Sequence, residues 1–310
     1  MGLSSIFVSL KQESLTVGIK FAPETELMID MGAHRTFGLS LADGRTWGLC
    51  SLDRDSSKLL VRLSHVMQLQ PVEISCCHKT LLLKSDGSGS RKKLLRVELP
   101  ATPEGPVKCF ISPTDDQELQ VIQMMQLSQL IAYLTWDHGG VLLHSALAER
   151  SGQGVLMAGR SMVGKSTASS RLIPPWRALC DDNALAIRDP KGRYMAHPWP
   201  TWSRFLWGGT GGSWEVSRAL PIRGIFILEQ GQEMIEILGK GTASCLLTDC
   251  ANQVAVQVRL LLTPREARIS NLLIFDNICD LVNKVPAFTL HQSLTGRFWE
   301  EMEAALDMRQ

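Results

Sequence analysis

A run of eight residues in this chain has the types and spacing of a phosphate-binding loop. It starts at Gly159, has a second glycine at Gly164, and continues with Lys165 and Ser166, which satisfies the pattern G-x-x-x-x-G-K-[ST]. Glycines permit the main-chain torsions that point successive N–H groups at a phosphate. The lysine of such a loop reaches the β- and γ-phosphates, and the serine hydroxyl ligates magnesium. The pattern predicts ATP and Mg²⁺ as cofactors, bound by Gly159, Arg160, Ser161, Met162, Val163, Gly164, Lys165, Ser166 and Thr167.

Two adjacent carboxylates, Asp181 and Asp182, follow a hydrophobic segment downstream of this loop. A phosphoryl-transfer site needs a carboxylate that activates the acceptor and ligands for the metal. Neighbouring side chains at the end of a strand point in different directions. One carboxylate can therefore face an acceptor hydroxyl while the other faces magnesium or a structural partner. The alternative is a solvated turn, because Asp-Asp-Asn is good turn chemistry; we favour the functional interpretation.

A third candidate, His144, lies in an apolar segment just upstream of the strand that leads into the loop. A single histidine on an apolar strand is usually a hydrogen-bonded core residue. Imidazole also titrates near neutral pH and can orient a carboxylate, so a catalytic role stays open beside the structural one.

The elements that must position these residues alternate between strand, loop and helix. A helix is predicted from Lys165 to about Ile173, where two prolines end it. The strand over residues 224–229 is predicted to pair with residues 234–238, and the remainder to be mainly helical. The predicted strands around the site are residues 141–148, 155–158, 177–180, 184–188 and 224–229.

Residues 1–113 are predicted to form a strand-rich N-terminal domain of unknown role, made of short strands separated by turns. One strand is expected over residues 46–50, and a loop rich in turn residues over 85–90, next to a small basic cluster. Thr114 and Gln117 fit a capping box, which predicts that a helix begins there. The domain boundary is therefore predicted near residue 113, with residues 114–310 as the catalytic domain.

One segment, residues 197–214, contains four tryptophans and a run of glycines. Long stretches without regular structure tend to be functional, which favours a mobile lid with rigid aromatic anchors. The equally weighted alternative is an irregular segment whose tryptophans fill the core. The four are Trp199, Trp202, Trp207 and Trp214.

Composition and charge exclude several classes of protein. The formal net charge is +1 with 20% charged residues, which argues against nucleic-acid binding and against a polybasic membrane surface. No apolar run approaches the roughly 18 residues of a membrane span, so a cytoplasmic protein is predicted. The eight cysteines include no Cys-x-x-Cys pair, which favours buried, reduced thiols over zinc or disulfides. Cys76 and Cys77 are expected in an alternating strand.

Within about residues 138–240, the histidine, the glycine loop and the aspartate pair together resemble the catalytic core of the HPr kinase/phosphorylase superfamily. That family phosphorylates a protein serine with ATP and magnesium, and its fold is related to that of phosphoenolpyruvate carboxykinase. The resemblance implies an α/β fold class, with a P-loop core of the HPr-kinase/PEP-carboxykinase type beside a smaller, strand-rich N-terminal domain.

The resemblance also implies roles for individual residues. Asp181 would be the general base, and Asp182 a metal-side or supporting carboxylate, with Ser166 as a metal ligand. His144 would be a member of the catalytic site beside Lys165. The family's loop usually has an acidic residue and a glycine where this chain has Arg160 and Met162. The family has a second signature, Glu-Ile-Arg-Gly-Leu. This chain echoes it at Pro221-Ile222-Arg223-Gly224-Ile225, but without the initial glutamate.

The chain is further similar to divergent homologues found in peptide natural-product cassettes, namely the lasso-peptide kinases and the SynChlorMet cassette protein ScmC. This likeness implies a kinase that transfers the γ-phosphate to a serine-type hydroxyl of a peptide or protein, in particular a ribosomal precursor peptide. Two alternatives stay open: a kinase or nucleotidyltransferase acting on a small molecule, and a non-catalytic ATP-binding partner protein. No nucleic-acid or membrane partner is expected, and a homo-oligomer is left open.

Overall fold

The computed structural model describes residues 35–86, 93–100, 102, 105–206 and 209–307, which form a mixed α/β fold with two mixed sheets. The strands are β1 (Thr36–Ser40), β2 (Thr46–Ser51), β3 (Gln70–Pro71), β4 (Lys79–Ser85), β5 (Leu95–Glu98), β6 (Val107–Ile111), β7 (Val141–Leu143), β8 (Ser145–Arg150), β9 (Gln153–Ala158), β10 (Arg177–Cys180), β11 (Asn183–Arg188), β12 (Tyr194–Trp199), β13 (Leu220–Gln230), β14 (Met234–Ile237) and β15 (Ala287–Gln292). The helices are α1 (Arg54–Met67), α2 (Gln117–Tyr133), α3 (Lys165–Arg171), α4 (Lys240–Val254), α5 (Val256–Arg259), α6 (Pro264–Lys284) and α7 (Phe298–Asp307).

The first sheet has six strands in the order β3-β1-β2-β4-β6-β5. Strands β2, β4 and β6 run parallel, and β1 and β5 pair antiparallel at either side of them. Within residues 35–111, this sheet includes the predicted strand that starts at Thr46. Of the predicted loop over residues 85–90, residues 87–90 lie outside the described part of the chain, as do Arg91 and Lys92 of the basic cluster.

Helix α1 contradicts the prediction that this region consists of short strands and turns only. Asp53 caps the helix by accepting a hydrogen bond from the Ser56 main-chain N–H, and Ser56 reciprocates toward the cap. One face carries leucines, of which Leu60 and Leu63 are fully buried against the sheet. The helical spacing of these leucines after an Asp-x-x-Ser cap was a readable signal, because it is the 3.6-residue period of an amphipathic helix.

The second sheet has nine strands, ordered β10-β8-β9-β13-β12-β11-β7, with β15 beside β13 and β14 beyond β15. Strands β9, β13 and β15 are parallel, with Ile227 of β13 opposite Ala158 of β9. The predicted pairing of residues 224–229 with residues 234–238 is wrong, because β14 pairs with β15 instead. The missed strand β15 inserts between them, so the carboxyl ends of three parallel strands meet at the glycine loop.

A single strand over residues 141–148 was also a wrong prediction, because the chain changes neighbours at His144. Strand β7 pairs with β11, whereas β8 pairs with β9 and β10. His144 therefore lies in the break between two strands and not within one, and its main-chain N–H donates to the carbonyl oxygen of Cys250 on α4 at 3.3 Å.

Helix α2 connects the two sheets through a continuous apolar core. It begins at Gln117 with Asp116 as its cap, and not at the Thr114 cap predicted from the capping-box pattern. Asp116 prevails because its carboxylate accepts hydrogen bonds from the main-chain N–H groups of Glu118 and Leu119. Met124 of this helix is fully buried in that core.

All eight cysteines are free thiols, but their burial differs from the prediction. Cys50, Cys109, Cys180 and Cys250 are buried, whereas Cys76 and Cys245 are exposed. Cys76 ends a short 3-10 helix that begins at Ile74, so the predicted strand does not form there. None of the helices in the described ranges is both long enough and apolar enough to cross a membrane.

Glu149 on β8 forms ion pairs with two arginines, and these contacts make the stability of the fold depend on pH. Its carboxylate accepts hydrogen bonds from Arg177 at 2.5 Å and from Arg218 at 2.8 Å. Burial raises the pKa of Glu149, but the hydrogen bonds and charges of the two arginines outweigh burial and hold the pKa below its ordinary 4.5. Because the folded-state pKa is depressed, the stabilisation is complete above pH 4.5 and is lost as the pH falls through the lowered value.

We therefore expect Glu149→Gln to lower the free energy of unfolding at pH 7 by about 1–2 kcal/mol, because charge-assisted hydrogen bonds with partly exposed arginines are lost. The difference between the two proteins should shrink in strongly acidic solution. Urea unfolding of both proteins at a series of pH values measures this. A difference that stays constant down to the most acidic condition would contradict the assignment.

Candidate active site

The glycine loop lies where the sequence predicted, between strand β9 and helix α3. Gly159 and Gly164 have φ angles of +153° and +109°, which side chains rarely permit, and Met162 adopts a left-handed φ of +68°. A Cβ added at Gly159 would lie 3.0 Å from Cγ1 of Val163, and one at Gly164 would lie 3.2 Å from Nε2 of Gln292. Side chains at these two positions would therefore press against Val163 and Gln292, and would be strained by the positive φ angles.

Lys165 holds the loop closed from the inside. Its ammonium group donates to the carbonyl oxygens of Gly159 at 3.0 Å and Arg160 at 3.1 Å. The residue is only 5% exposed, and this burial lowers its pKa although Asp182 and Cys250 oppose the shift. An ammonium group has three N–H donors, and no described residue accepts the third. A buried cation with an unused donor is suited to an anionic ligand.

Helix α3 is shorter than predicted, because it ends at Arg171 and not at about Ile173. Arg171 fastens this end to the chain that follows β15 by donating to the carbonyl oxygens of Ser293, at 2.6 Å, and Gly296. Ser166 and Thr167 in its first turn are exposed, and the Ser166 hydroxyl has no hydrogen bond to a described residue. The predicted magnesium ligand is therefore accessible at the mouth of the loop.

Asp181 and Asp182 lie between β10 and β11, and their side chains diverge. Asp181 is 9% exposed; Oδ1 accepts from the Thr201 hydroxyl at 2.6 Å and Oδ2 pairs with the Arg204 guanidinium at 2.8 Å. Asp182 instead faces His144, with 2.9 Å between Oδ1 and Nε2. The two carboxylates thus face different partners, as expected for neighbouring residues at the end of a strand.

His144 is oriented from both sides. Its Nε2 contacts Asp182, and its Nδ1 lies 2.7 Å from Oε1 of Gln253, which comes from the C-terminal turn of α4. The same Gln253 oxygen accepts a longer hydrogen bond, at 3.4 Å, from the Ser161 hydroxyl in the glycine loop. A chain of polar contacts therefore links the loop to Asp182 through Gln253 and His144. Next to His144 and Asp182 in the sequence, Ser145 Oγ and Asn183 Oδ1 are buried without a hydrogen-bond partner among the described residues.

A cavity of about 220 Å³ opens next to the loop. Ser166 lines one side, and Asp181 and Arg204 line it too. The cavity exceeds the space of a few water molecules and carries mainly polar side chains. It therefore brings Ser166, a predicted magnesium ligand, and Asp181, the predicted general base, to one solvent-accessible space.

The structure favours the core-filling interpretation for most of the tryptophan-rich segment. Trp199, Trp202 and Trp214 are at most 5% exposed, and Trp202 also donates from its indole N–H to the Ser128 hydroxyl at 3.0 Å. Trp207 lies outside the described residues. The segment still reaches the site, because Thr201 and Arg204 bind Asp181 and Trp214 lines the cavity.

Three site residues were missed by sequence reasoning: Thr201, Arg204 and Gln253. Arg204 and Thr201 lie in a segment that the sequence singled out, but nothing in their spacing indicated a contact with Asp181. Gln253 is 109 residues from His144 along the chain, in a helix with no distinctive motif. No sequence signal identified it, because only the packing of α4 brings it to the loop.

A protein-only metal cage does not occur among the described residues, which contain no cluster of three or more His, Cys, Asp or Glu side chains suited to a metal. The predicted ligands Ser166 and Asp182 instead suit magnesium, which usually takes one or two protein ligands and completes its shell with water and phosphate oxygens.

A search of curated proteins found no match to this chain. The family model described as SynChlorMet cassette protein ScmC matches residues 107–307, which is well over half of the chain. The match begins at the first residue of β6 and includes the glycine loop, the aspartate pair, His144 and Gln253. The chain therefore belongs to the family of the SynChlorMet cassette protein ScmC.

Proposed function

We propose that this protein is a magnesium–ATP-dependent P-loop kinase of the HPr-kinase-like type, which transfers the γ-phosphate to a serine-type hydroxyl of a peptide or protein. The observation that carries the proposal is the Lys165 ammonium, which is buried inside the glycine loop with one N–H unused. A buried cation is costly unless it is paired, and a nucleotide phosphate would supply the missing partner.

The residues around the loop fit a nucleotide and its metal. The positive φ angles of Gly159 and Gly164 permit a loop whose main chain can direct N–H groups at phosphate oxygens. Ser166 and Asp182 would hold magnesium, which supplies charge neutralisation for the phosphates when it is bound. Lys165 would bind the β- and γ-phosphates.

The two carboxylates would divide the chemistry. Asp181 lines the cavity and would accept the proton of the acceptor hydroxyl, while the hydroxyl oxygen attacks the γ-phosphorus and ADP leaves. The hydrogen bond from Thr201 and the ion pair with Arg204 fix the position of this carboxylate. His144 would orient Asp182 through the contact between its Nε2 and Oδ1 of that carboxylate.

A ribosomal precursor peptide is the acceptor that we favour, because of the likeness to kinases of peptide natural-product cassettes. One observation favours a non-catalytic ATP-binding protein as the second candidate: both carboxylate oxygens of Asp181 are already engaged, by Thr201 and Arg204. In that case the nucleotide would stabilise a conformation without being consumed.

Incubation of the purified protein with magnesium and γ-labelled ATP, with and without peptides, tests the proposal. Label on a peptide hydroxyl is the expected result. Nucleotide binding without transfer of label to any acceptor would favour the non-catalytic candidate. Absence of nucleotide binding would refute both.

Gln253 offers a more local test of the same site. We expect Gln253→Leu to lower kcat for phosphate transfer about tenfold, which corresponds to roughly 1.4 kcal/mol, because His144 loses the partner that orients its ring. Binding of Mg-ATP should weaken only a few-fold, because the hydrogen bond that Gln253 makes with Ser161 of the loop is long, at 3.4 Å. Gln253→Glu keeps an acceptor oxygen and should restore most of the rate, whereas equal losses in both variants would contradict an orienting role.

A further inference from the structure

Strand β10 forms a free edge of the nine-stranded sheet, directly beside the candidate site. Among the described strands it pairs only with β8. Its first two residues, Arg177 and Ala178, are exposed, and Cys180 at its other end immediately precedes Asp181. The outer N–H and C=O groups of an edge strand can pair with another chain.

The cavity of about 220 Å³ runs along this strand. Three consecutive β10 residues line it, namely Ala178, Leu179 and Cys180. Ser166, Ser169 and Ser170 of α3 contribute hydroxyl groups, and residues 212–214 line it as well. The space beside β10 is therefore open, polar and continuous with Asp181, so a main chain that extends β10 would lead a side chain to the reacting groups.

Two arginines set the charge along this edge. Arg177, whose side chain is 55% exposed, begins the strand, and Arg204, 47% exposed, lies against Asp181 just beyond its end. Each donates to a carboxylate of this protein from a single nitrogen, to Glu149 and Asp181 respectively. A guanidinium group carries five N–H donors, so each arginine can donate hydrogen bonds to a further carboxylate.

We propose that the acceptor is an extended peptide segment that adds to β10 as the next strand and presents its hydroxyl residue to Asp181 within this cavity. This inference rests on the proposed kinase function and specifies its substrate class. Main-chain pairing would supply affinity for any extended peptide, and the two arginines would select for acidic residues on either side of the hydroxyl. A small molecule could use neither feature.

The test begins with an oriented library of 12-residue peptides that carry a single central serine and no other hydroxyl residue. We expect label from γ-labelled ATP on these peptides, with Asp and Glu enriched and Lys and Arg depleted near the serine. The best sequence is then made in two N-methylated forms, one at the residues adjacent to the serine and one at the next residues outward. Because alternate residues of a strand face its partner, one form should lose kcat/KM about tenfold or more and the other should stay close to the parent.

Hydrogen–deuterium exchange gives a second measurement that needs no substitution in the protein. With Mg-ADP present, the unmodified peptide should slow exchange over residues 177–180, and the inactive N-methylated peptide should not. Equal activity of both N-methylated forms, unchanged exchange in β10, or equally efficient phosphorylation of free serine would each overturn strand addition. In those cases transfer of label still supports the kinase. Absence of nucleotide binding, by contrast, would refute the kinase itself.

Discussion

Substitution of Lys165 by methionine is expected to abolish measurable phosphate transfer and to weaken Mg-ATP binding by about 10²-fold or more. The side chain lies inside the loop, where its ammonium bridges the carbonyl oxygens of Gly159 and Arg160. Methionine has a similar length but supplies no charge and no N–H donor to a phosphate. Titration calorimetry with Mg-ATP and a label-transfer assay measure the two effects.

The same substitution should leave the fold intact. Burial lowers the pKa of Lys165, so the folded protein disfavours the charged form, and an apolar side chain removes that penalty. The two lost hydrogen bonds to Gly159 and Arg160 offset this gain, so thermal unfolding of the variant should occur within a few degrees of the parent protein. Lys191→Met, at an exposed turn, is the matched control and should retain nucleotide binding. If Lys165→Met bound Mg-ATP as tightly as the parent, the loop would not be the phosphate site.

Asp181→Asn is expected to lower kcat for phosphate transfer by about 10²- to 10⁴-fold, the usual contribution of general base catalysis. The amide cannot take up the proton of the acceptor hydroxyl, although it can still accept a hydrogen bond from Thr201. Binding of Mg-ATP should change only a few-fold, since Lys165, and not Asp181, is the proposed ligand of the phosphates. A separation of kcat from nucleotide affinity is therefore the decisive readout.

Asp189→Asn provides the control for loss of a buried aspartate paired with an arginine. Asp189 has an 8% exposed side chain and pairs with Arg193 at 2.7 Å, in the turn between β11 and β12. The Asp189→Asn substitution should lower the free energy of unfolding without lowering kcat. If both aspartate variants lost the same fraction of activity, the effect of Asp181 would be structural. A fully active Asp181→Asn protein would mean that another group takes up the proton of the acceptor hydroxyl.

Much of the candidate site could be predicted from sequence because its parts are local. The loop, the strand before it and the helix after it are consecutive in the chain, and glycine and lysine at fixed spacing determine how that segment can bend. The divergence of Asp181 and Asp182 also follows from adjacency at a strand end. Which carboxylate faces which partner could be seen only in the structure. Asp181 contacts Thr201 and Arg204, whereas Asp182 contacts His144.

Boundaries and strand partners were predicted less well, and for different reasons. Helix α1 was missed although Asp53 and the buried leucines carried the signal. The partner of β13 was mistaken because the correct neighbour, β15, lies far along the chain, beyond α4, α5 and α6. Turn residues near Gly231 favoured a local hairpin, but burial of two parallel neighbours around β13 stabilises the sheet more than a hairpin with the exposed β14.

By itself, the sequence determined the phosphate-loop pattern, the aspartate pair, the strand-rich first part and a composition without excess charge. Only the tertiary structure decided that His144 lies in a strand break against Asp182, that Gln253 orients it, and that β10 is a free edge beside the cavity. These features depend on contacts between residues that are distant in the chain. Such contacts form only when the whole core packs, so no local pattern of residue types encodes them.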